Sequence, residues 1–363
     1  MTERRLTALA LLVSATLAIA AAASAQTATA PQQTFSTTIY LDWTHFLTNS
    51  GPVTTVTAPG YKNDYFAFRR AYFTYENKIN DNLRFRFRLD ADNTANLTSV
   101  DINTGATKKD DKLRPFMKHL YLQYDNLFPN TSFKVGMADT ITFKLAEDRW
   151  GYRSVAKTLV DGFKDITGVE IDATSADIGV SFSHNPLKYF RYQVQVTNGS
   201  AYSHAENDKW KKLMLQGQII PLPGLSLVGY YDYEKQTPKA KAETIKFDGY
   251  FEKVRNLVLS AEYFVYRNDL YVASSKARYD VSGLSVFGRY TFTPDRLAAF
   301  ARYDYYEPNN KVGDNEISLV IAGLDWAPFH TSWKLQPNIW FYQYADSKKR
   351  DDVVFNLTFF MSF

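Results

Sequence analysis

The residues that decide the fold of this chain are its last ones, 353–363, which read VVFNLTFFMSF. Apolar side chains occupy every second position from Val353 to Phe363, and the row between them includes Asn356 and Thr358. Because successive side chains of a β-strand point to opposite faces, such a strand has one apolar face and one more polar face. A soluble domain seldom exposes so many aromatic side chains at its end. The pattern therefore predicts a strand that separates an apolar surrounding from water.

Similar alternating segments, separated by turn residues, recur along the chain from Phe35 onward. An even number of antiparallel strands that closes into a barrel leaves no unpaired sheet edge, and the last strand then pairs with the first. We therefore predict an all-β fold, a transmembrane antiparallel β-barrel of about 16 strands. The predicted strands are residues 35–46, 65–78, 83–92, 116–125, 132–138, 175–183, 189–198, 210–220, 225–235, 244–253, 257–267, 278–292, 297–307, 316–326, 333–344 and 352–363.

The beginning of the chain has the pattern of a secretory signal peptide. Arg4 and Arg5 precede a long apolar run, which ends at the small-residue cleavage site Ala23-Ser24-Ala25. We predict that residues 1–25 are a signal peptide and that residues 26–363 form one barrel domain. The alternative, an anchoring helix, is disfavoured because hydroxyl residues interrupt the apolar run and polar sequence follows it.

The composition is consistent with a barrel that has a wet interior. The chain has no cysteine, which excludes disulfides and thiolate metal sites. It has 25 Tyr and 26 Phe but only 6 Trp, and such residues favour strands and aromatic girdles at a membrane surface. The formal net charge is only +4, so the placement of charges matters more than their sum.

The connections between the predicted strands alternate between short and long. Tight turns at 80–82, 221–224, 255–256 and 293–296 contrast with long stretches near 47–63, 93–114 and 139–174. Short turns of such barrels face the periplasm, and long loops face outward. The longest insertion, 139–174, lies between the fifth and sixth strands and contains a segment that could form a short helix. A loop of this length in a compact domain is usually functional.

The sharpest chemical signal is a row of charged residues on the third predicted strand. Arg84, Arg86, Arg88, Asp90 and Asp92 alternate with apolar residues. Turning this row toward lipid would cost about 2–4 kcal/mol for each arginine near the bilayer midplane, so the row is expected to face the lumen. An anion could then pass from one guanidinium to the next, as conduction requires. The alternative is ordinary pore lining, neutralised by Asp90, Asp92 or the loop carboxylates Glu147 and Asp148.

Several short motifs resemble those of the phosphate-selective porin O and P family of Gram-negative outer membranes. They are Arg69-Arg70-Ala71-Tyr72-Phe73, Phe133-Lys134-Val135-Gly136 before the long loop, Trp150-Gly151-Tyr152-Arg153, and the segments 175–183 and 194–199. The terminal Phe363 likewise resembles the signature by which outer-membrane barrels are recognised for assembly. The resemblance implies a homotrimeric porin, a third loop that folds into and constricts the pore, and an anion site at mid-pore to which Arg69, Arg70 and Lys134 correspond.

The sequence thus favours an outer-membrane channel for small hydrophilic solutes with a preference for anions. Further anion contacts are expected from Arg149, Arg153, Lys157 and Lys164 in the long loop. A non-selective sieve, in which acidic loop residues oppose the strand arginines, remains an alternative. A barrel enzyme such as a phospholipase is a third, although the five histidines show no metal-ligand spacing and no serine lies in a nucleophile motif.

The expected partners follow from the same interpretation. They are small hydrophilic or anionic solutes, the lipid bilayer and further copies of the chain. The run Lys348-Lys349-Arg350 lies in the last outer loop and could bind lipopolysaccharide phosphates, although a solvated charge run is the more common case. No cofactor, metal or nucleic acid is expected.

Overall fold

A closed antiparallel barrel of sixteen strands forms the body of the molecule and confirms the predicted fold class. The computed structural model describes residues 32–48, 64–92, 97–100, 107–110, 114–206, 208–238, 240–269 and 280–363. The predicted signal peptide, residues 1–25, lies outside this range and stays a prediction.

The barrel strands follow one another around the wall in chain order. Between β3 and β6, a separate two-stranded sheet consists of β4 (Leu97–Val100) and β5 (Thr107–Asp110), which the alternation did not predict. The barrel strands are β1 (Gln32–Thr48), β2 (Asp64–Lys78), β3 (Leu83–Asp92), β6 (Arg114–Asp125), β7 (Thr131–Asp139), β8 (Ala176–Leu187), β9 (Phe190–Thr197), β10 (Lys212–Leu222), β11 (Leu225–Lys235), β12 (Lys241–Phe251), β13 (Leu257–Asn268), β14 (Asp280–Thr293), β15 (Leu297–Glu307), β16 (Ile317–His330), β17 (Trp333–Tyr344) and β18 (Asp352–Ser362).

The terminal strand closes the barrel, as its alternation predicted. β18 pairs with β1 in a register that includes Leu41 opposite Phe359, and it pairs with β17 on its other side. At the chain end, Thr37 and Phe363 exchange two backbone hydrogen bonds, each of 2.9 Å. The last residue therefore completes the ladder that removes both sheet edges.

The two faces of the wall differ in what they contact. On β13 and β14 the buried Phe264 and Phe287 touch the long insertion, whereas Tyr263 and Val286 are 45% and 47% exposed. The first row therefore faces the interior and the second faces outward. On β18 the same alternation places Val354 and Thr358 inside and Val353, Phe355, Leu357, Phe359 and Met361 outside.

The insertion between β7 and β8, residues 140–175 and hereafter the inner loop, contains two short helices. They are α1 (Lys144–Trp150) and α2 (Leu159–Thr167), and each ends at a glycine in the left-handed conformation, Gly151 and Gly168. None of the helices among the described residues is long and apolar enough to cross a membrane.

A glycine on β7 is required by the close approach of β6. Gly136 has φ +121°, and a Cβ there would lie 2.3 Å from the carbonyl oxygen of Leu120. We predict that Gly136→Ala lowers the free energy of unfolding by about 1–3 kcal/mol, because both the backbone conformation and the contact become strained. The matched control is Gly249→Ala on the outer face, where the nearest atom lies 3.8 Å away and the expected change is below about 0.5 kcal/mol. Equal urea-unfolding midpoints for the two variants in detergent would refute the prediction.

Candidate functional site

The inner loop packs its aromatic side chains against the interior face of the barrel wall. Trp150 is fully buried, and its ring centroid lies 5.1 Å from that of Phe287 and 5.7 Å from that of Phe300. Phe163 of α2 lies 5.4 Å from Phe264 in the same way. Burying such aromatic groups is strongly favourable, so the inner loop is fixed against β13–β15.

Polar contacts hold the start of the inner loop to a second part of the wall. The backbone N–H of Ile141 donates to Oε1 of Gln195 at 3.0 Å, and Nε2 of Gln216 donates to the Ile141 carbonyl at 3.0 Å. The hydroxyls of Thr142 and Tyr230 are 2.8 Å apart. The inner loop is therefore also anchored to β9, β10 and β11.

Further along, the inner loop bonds to β2, β15 and β17. The Arg69 guanidinium donates to the carbonyls of Ser154 and Val155, and the Ser154 hydroxyl donates to Gln336 at 2.6 Å. Arg302 donates to the Lys157 carbonyl at 2.6 Å. With both sets of contacts, the inner loop lies inside the barrel and touches widely separated parts of its wall.

Two β-bulges place adjacent charged residues on the same interior face. Tyr40 pairs with Arg70 and Leu41 with Phe68, so Arg69 is the extra residue of β2. Such a bulge lets both arginines point inward, although neighbouring residues of a regular strand point to opposite faces. Their contacts show that they do: Arg69 bonds to the inner loop, and Arg70 bonds to the interior Asp92.

The second bulge brings in a lysine that the sequence interpretation missed. On β6, Arg88 pairs with His119 and Leu89 with Met117, which leaves Lys118 as the extra residue. Both Lys118 and His119 are buried, at 4% and 2% exposure. The signal was present in the sequence, because two apolar residues followed by two basic ones, from Phe116 to His119, break the alternation.

Buried carboxylates of β3 form ion pairs with residues of both bulges. Asp92 lies 3.1 Å from Arg70, and Asp90, which has no exposed surface, lies 3.6 Å from Arg70 and 4.0 Å from Lys118. The predicted contact residue Asp90 is therefore a buried counter-charge. Two carboxylates, Asp90 and Asp92, therefore oppose the two cations Arg70 and Lys118 in this group.

The structure places Arg84, Arg86 and Arg88 on the same face of β3 as the interior Asp90. Arg84 pairs with Asp125 at 3.0 Å and Arg86 with Glu76 at 3.2 Å. The anticipated neutralising partners were therefore wrong, because Asp90 and Asp92 pair elsewhere, Glu147 pairs with Arg153 and Asp148 with Lys144.

Arg88 differs from its neighbours in lacking a carboxylate. Its Nε donates to the Thr74 hydroxyl at 2.8 Å, and its guanidinium lies 4.8 Å from the centre of the Tyr72 ring. Within the described ranges, no acidic oxygen comes within 4.0 Å of it to form an ion pair. Hydroxyl and ring contacts orient the guanidinium without cancelling its charge.

Lys134 of β7, matched by resemblance to the family's anion site, lies near this row. Its amino group is 3.8 Å from Asp139 and 5.0 Å from the centre of the Tyr121 ring. Asp139 is shared, because His119 approaches it at 3.1 Å. Asp139 therefore contacts both Lys134 and His119.

The basic residues of the inner loop pair mainly with acids of the same loop. Arg153 lies 2.6 Å from Glu147 and 2.9 Å from Asp161, and Lys157 lies 2.7 Å from Asp165. Arg149 reaches Glu252 beyond β12 at 2.8 Å, and Lys164 pairs with Glu170. Asp172 of the loop pairs with Lys212 of β10 at 3.2 Å, so the ion pairs of the described loop carboxylates are with cations other than the β3 arginines.

The two carboxyl groups that pair with Arg153, those of Glu147 and Asp161, have pKa values shifted in opposite directions. Burial raises the pKa of Glu147, and the nearby Asp161 carboxylate adds to the rise. Burial alone would also raise the pKa of Asp161, but the charges of Arg153 and Lys157 outweigh it and lower that pKa. Asp161 therefore remains the ionised partner that holds Arg153 in place.

A cavity of about 610 Å³ lies between the inner loop and the wall formed by β1, β2 and β15–β18. Arg69, Arg70, Arg153 and Lys157 border it, and Tyr202 from the connection between β9 and β10 borders it as well. Tyr202 stacks on Phe116 at 5.5 Å and lies over the Lys118 amino group at 3.8 Å. The predicted residues Arg84, Arg86, Arg88 and Lys134 do not border this cavity, although Arg88 and the cavity residue Arg70 both contact the Tyr72 ring.

No family model and no curated protein matches this sequence. Solved structures match it over nearly its whole length. The anion-selective porin from Comamonas acidovorans aligns with a TM-score of 0.66 at 8% identity and covers 92% of this chain and 100% of its own. This is the porin fold. The outer membrane channel DcaP of Acinetobacter baumannii aligns with a TM-score of 0.60 at 11% identity and covers 93% of this chain and 100% of its own. The in-vitro folded trimer form of OmpT, an outer membrane protein of Vibrio cholerae, aligns with a TM-score of 0.59 at 13% identity. It covers 92% of this chain and 100% of its own.

Proposed function

We propose that this chain is an outer-membrane porin, a channel through which small hydrophilic solutes diffuse passively with a preference for anions. The outer surface of the barrel supports the location. Leu259, Val286 and Leu324 are each more than 40% exposed on that surface, and a belt of such residues suits lipid rather than water. Phe35, Phe363 and Phe329 are more than 60% exposed near the end with the short turns, as in an aromatic girdle.

The observation that carries the anion preference is the interior row of β3. Arg88 retains an uncompensated charge among the described residues, and Arg86 stands two positions away on the same face, roughly 6.6–7 Å along the strand. The row thus offers successive, individually weak sites, and conduction needs sites that an ion can leave. The coulombic attraction of one such charge for an anion at 4 Å is about 1 kcal/mol in water.

The position of the inner loop supports its role as a constriction. Its contacts with β2, β9–β11 and β13–β17 carry its backbone through the interior, so solutes would pass beside it. We propose that Arg69, Arg70, Arg153 and Lys157 contact solutes at the cavity beside the loop and that Arg84, Arg86, Arg88 and Lys134 contact them along β3 and β7. Arg149, paired with Glu252 near the short-turn end of β12, would contribute least.

Assembly and export are proposed with this function. The trimer form described for the OmpT neighbour fits a homotrimer here, and residues 1–25 would direct export. Lys348, Lys349 and Arg350 lie in the short connection between β17 and β18, where Lys349 lies over the Tyr344 ring at 5.3 Å. That position would place them at the outer surface beside lipopolysaccharide.

A direct comparison of two solutes of matched size tests the function. Liposomes containing the refolded protein should swell in glucose and swell faster in gluconate, because only gluconate is attracted by the interior arginines. Swelling at equal rates in the two solutes would favour the alternative of a non-selective sieve. No swelling in either solute would contradict the proposal that the protein forms a channel. Empty liposomes and heat-denatured protein serve as controls.

The enzyme alternative finds little support in the described part of the chain. There, the side-chain hydrogen bond between a serine and a histidine joins the adjacent, exposed Ser203 and His204 at 2.9 Å. A catalytic serine needs a histidine that a third group orients, and His204 has no such partner among these bonds. Lipid hydrolysis by the refolded protein with calcium present would revive this alternative.

A further inference from the structure

The interior wall near the long loops carries apolar and aromatic side chains where a water-filled barrel normally has polar ones. Phe46 of β1, Tyr65 of β2, Tyr342 of β17 and Val354 of β18 all face inward there. Phe46 and Tyr65 are stacked, with ring centroids 6.4 Å apart and planes 29° apart. An apolar wall inside a pore interacts weakly with water, so these side chains serve a purpose other than lining a water-filled passage.

Packing of the inner loop explains only part of this wall. Leu159 and Phe163 of α2 belong to the same buried cluster, but Phe46, Tyr65, Tyr342 and Val354, which are 4–7% exposed, also border the cavity of about 610 Å³. This portion of the wall lies beside a space large enough for a small organic molecule.

A half-buried tryptophan extends the apolar wall into the cavity. Trp340 of β17 points inward, and its Nε1 donates to Asn338 at 2.8 Å, which fixes the ring. Its ring lies 6.0 Å from that of Tyr342, and Tyr342 is nearly parallel to Tyr344 at 6.4 Å. Fixed rings of this kind present a flat surface on which a ligand ring can pack at little entropic cost.

The other side of the same cavity is cationic. Six basic residues border the cavity but only three acidic ones, Asp42, Asp92 and Asp165. The acids that hold Arg153 and Arg302, namely Asp161 and Asp304, are ion-paired to them but do not border the cavity. Charged N–H groups therefore face the space while some of their counter-charges stand behind them.

We propose that this cavity is a binding site for small aromatic monocarboxylates, which pause there as they cross the channel. The ring packs against Trp340, Tyr342 and Val354, and the carboxylate is bound by Arg69 and Lys157. Arg69 and Lys157 are already ion-paired, with Asp42 and Asp165, so the ligand carboxylate would join each pair as a further acceptor for their N–H groups. Neither half suffices, because a bare anion leaves the apolar wall uncovered and a neutral ring gains no charged contact with the two cations. The proposal rests on the proposed function and names a substrate class for it.

The test uses ¹⁹F NMR of 4-fluorobenzoate with the full, detergent-folded protein. We expect its line to broaden on addition of protein and to sharpen when benzoate competes. Acetate lacks the ring and benzyl alcohol lacks the carboxylate. Each should compete at least about tenfold more weakly, since burying an aromatic ring and forming a charge-assisted hydrogen bond are each worth roughly that factor or more. Equal competition by benzyl alcohol or by acetate would overturn the proposal, as would no broadening beyond that given by protein-free micelles.

Two matched pairs of variants locate the site. Trp340→Leu should weaken 4-fluorobenzoate binding, whereas Trp326→Leu, on the outer face and 47% exposed, should not. Lys157→Gln should weaken it, whereas Lys144→Gln, on α1 and outside the cavity lining, should not. Equal effects within either pair would place the binding elsewhere. Binding is measured without conduction, so a channel that conducts but binds no benzoate rejects this site alone, and binding without solute flux rejects the proposed function alone.

Discussion

Replacement of Trp150 by alanine should release the inner loop and raise the single-channel conductance while the barrel stays folded. The Trp150 ring packs against Phe287 and Phe300, its Nε1 donates to the Ala156 carbonyl at 3.0 Å, and the Arg302 guanidinium lies 5.2 Å from the ring centre. Truncating such a buried tryptophan costs about 3–5 kcal/mol. This loss falls on the loop because the strand ladders contain no part of Trp150.

The measurement is the conductance and current noise of the variant in a planar bilayer. We expect larger and noisier open levels than in the original protein. Trp326→Ala removes the same side chain from the outer surface and should leave both quantities unchanged. Retention of a folded band in unheated gels that shifts on heating would establish that the barrel is intact. An unaltered conductance in a folded Trp150→Ala protein would show that the inner loop does not limit the passage.

Replacement of Arg84, Arg86 and Arg88 together by glutamine should abolish most of the proposed preference for anions. Each substitution keeps a polar side chain on the interior face and removes one charge. Because one nearby charge attracts an anion by about 1 kcal/mol in water, we expect the ratio of chloride to potassium permeability to fall about threefold or more. The effect should be larger at low salt, where screening is weaker.

The matched control removes three charges from the connection between β17 and β18 instead. Replacement of Lys348, Lys349 and Arg350 by glutamine changes the net charge of the protein by the same amount as the triple β3 substitution. If this control lowers the permeability ratio as much as the β3 variant does, then the net charge of the protein determines selectivity and the interior row does not.

The alternation of apolar residues was sufficient to predict the barrel. Each of the sixteen predicted segments overlaps an observed barrel strand, and the terminal strand pairs with the first as its pattern required. The same rule placed Arg84, Arg86 and Arg88 on the inner face. A two-residue period is dictated by backbone geometry, so it can be read without knowing which strands are neighbours.

Features that depend on pairing between strands could not be predicted in the same way. The bulge at Arg69 exists because Phe68 and Arg70 pair with adjacent residues of β1, and Lys118 faces inward for the same reason on β6. The partners of the arginines were also mispredicted, since Arg84 pairs with Asp125 across the β3–β6 ladder rather than with an acid on its own strand. Neighbouring strands in a barrel are fixed by topology, and local sequence carries no record of the exact register.

The interior apolar wall was hidden for a different reason. On β17 both faces carry aromatic residues near the loop end, because Trp340, Tyr342 and Tyr344 face inward while Phe341 faces outward. Alternation cannot assign such a segment. Its meaning emerges only when the inner loop and the cavity beside it are placed.

We propose that the interior arginines are exposed to the conducted ions and favour anions. The most direct measurement is the reversal potential of the unaltered protein in a planar bilayer across a KCl gradient. We predict a potential whose sign shows that chloride is more permeant than potassium. In the triple β3 variant, this potential should move toward zero. A reversal potential of the opposite sign, or one that the three substitutions leave unchanged, would contradict the claim.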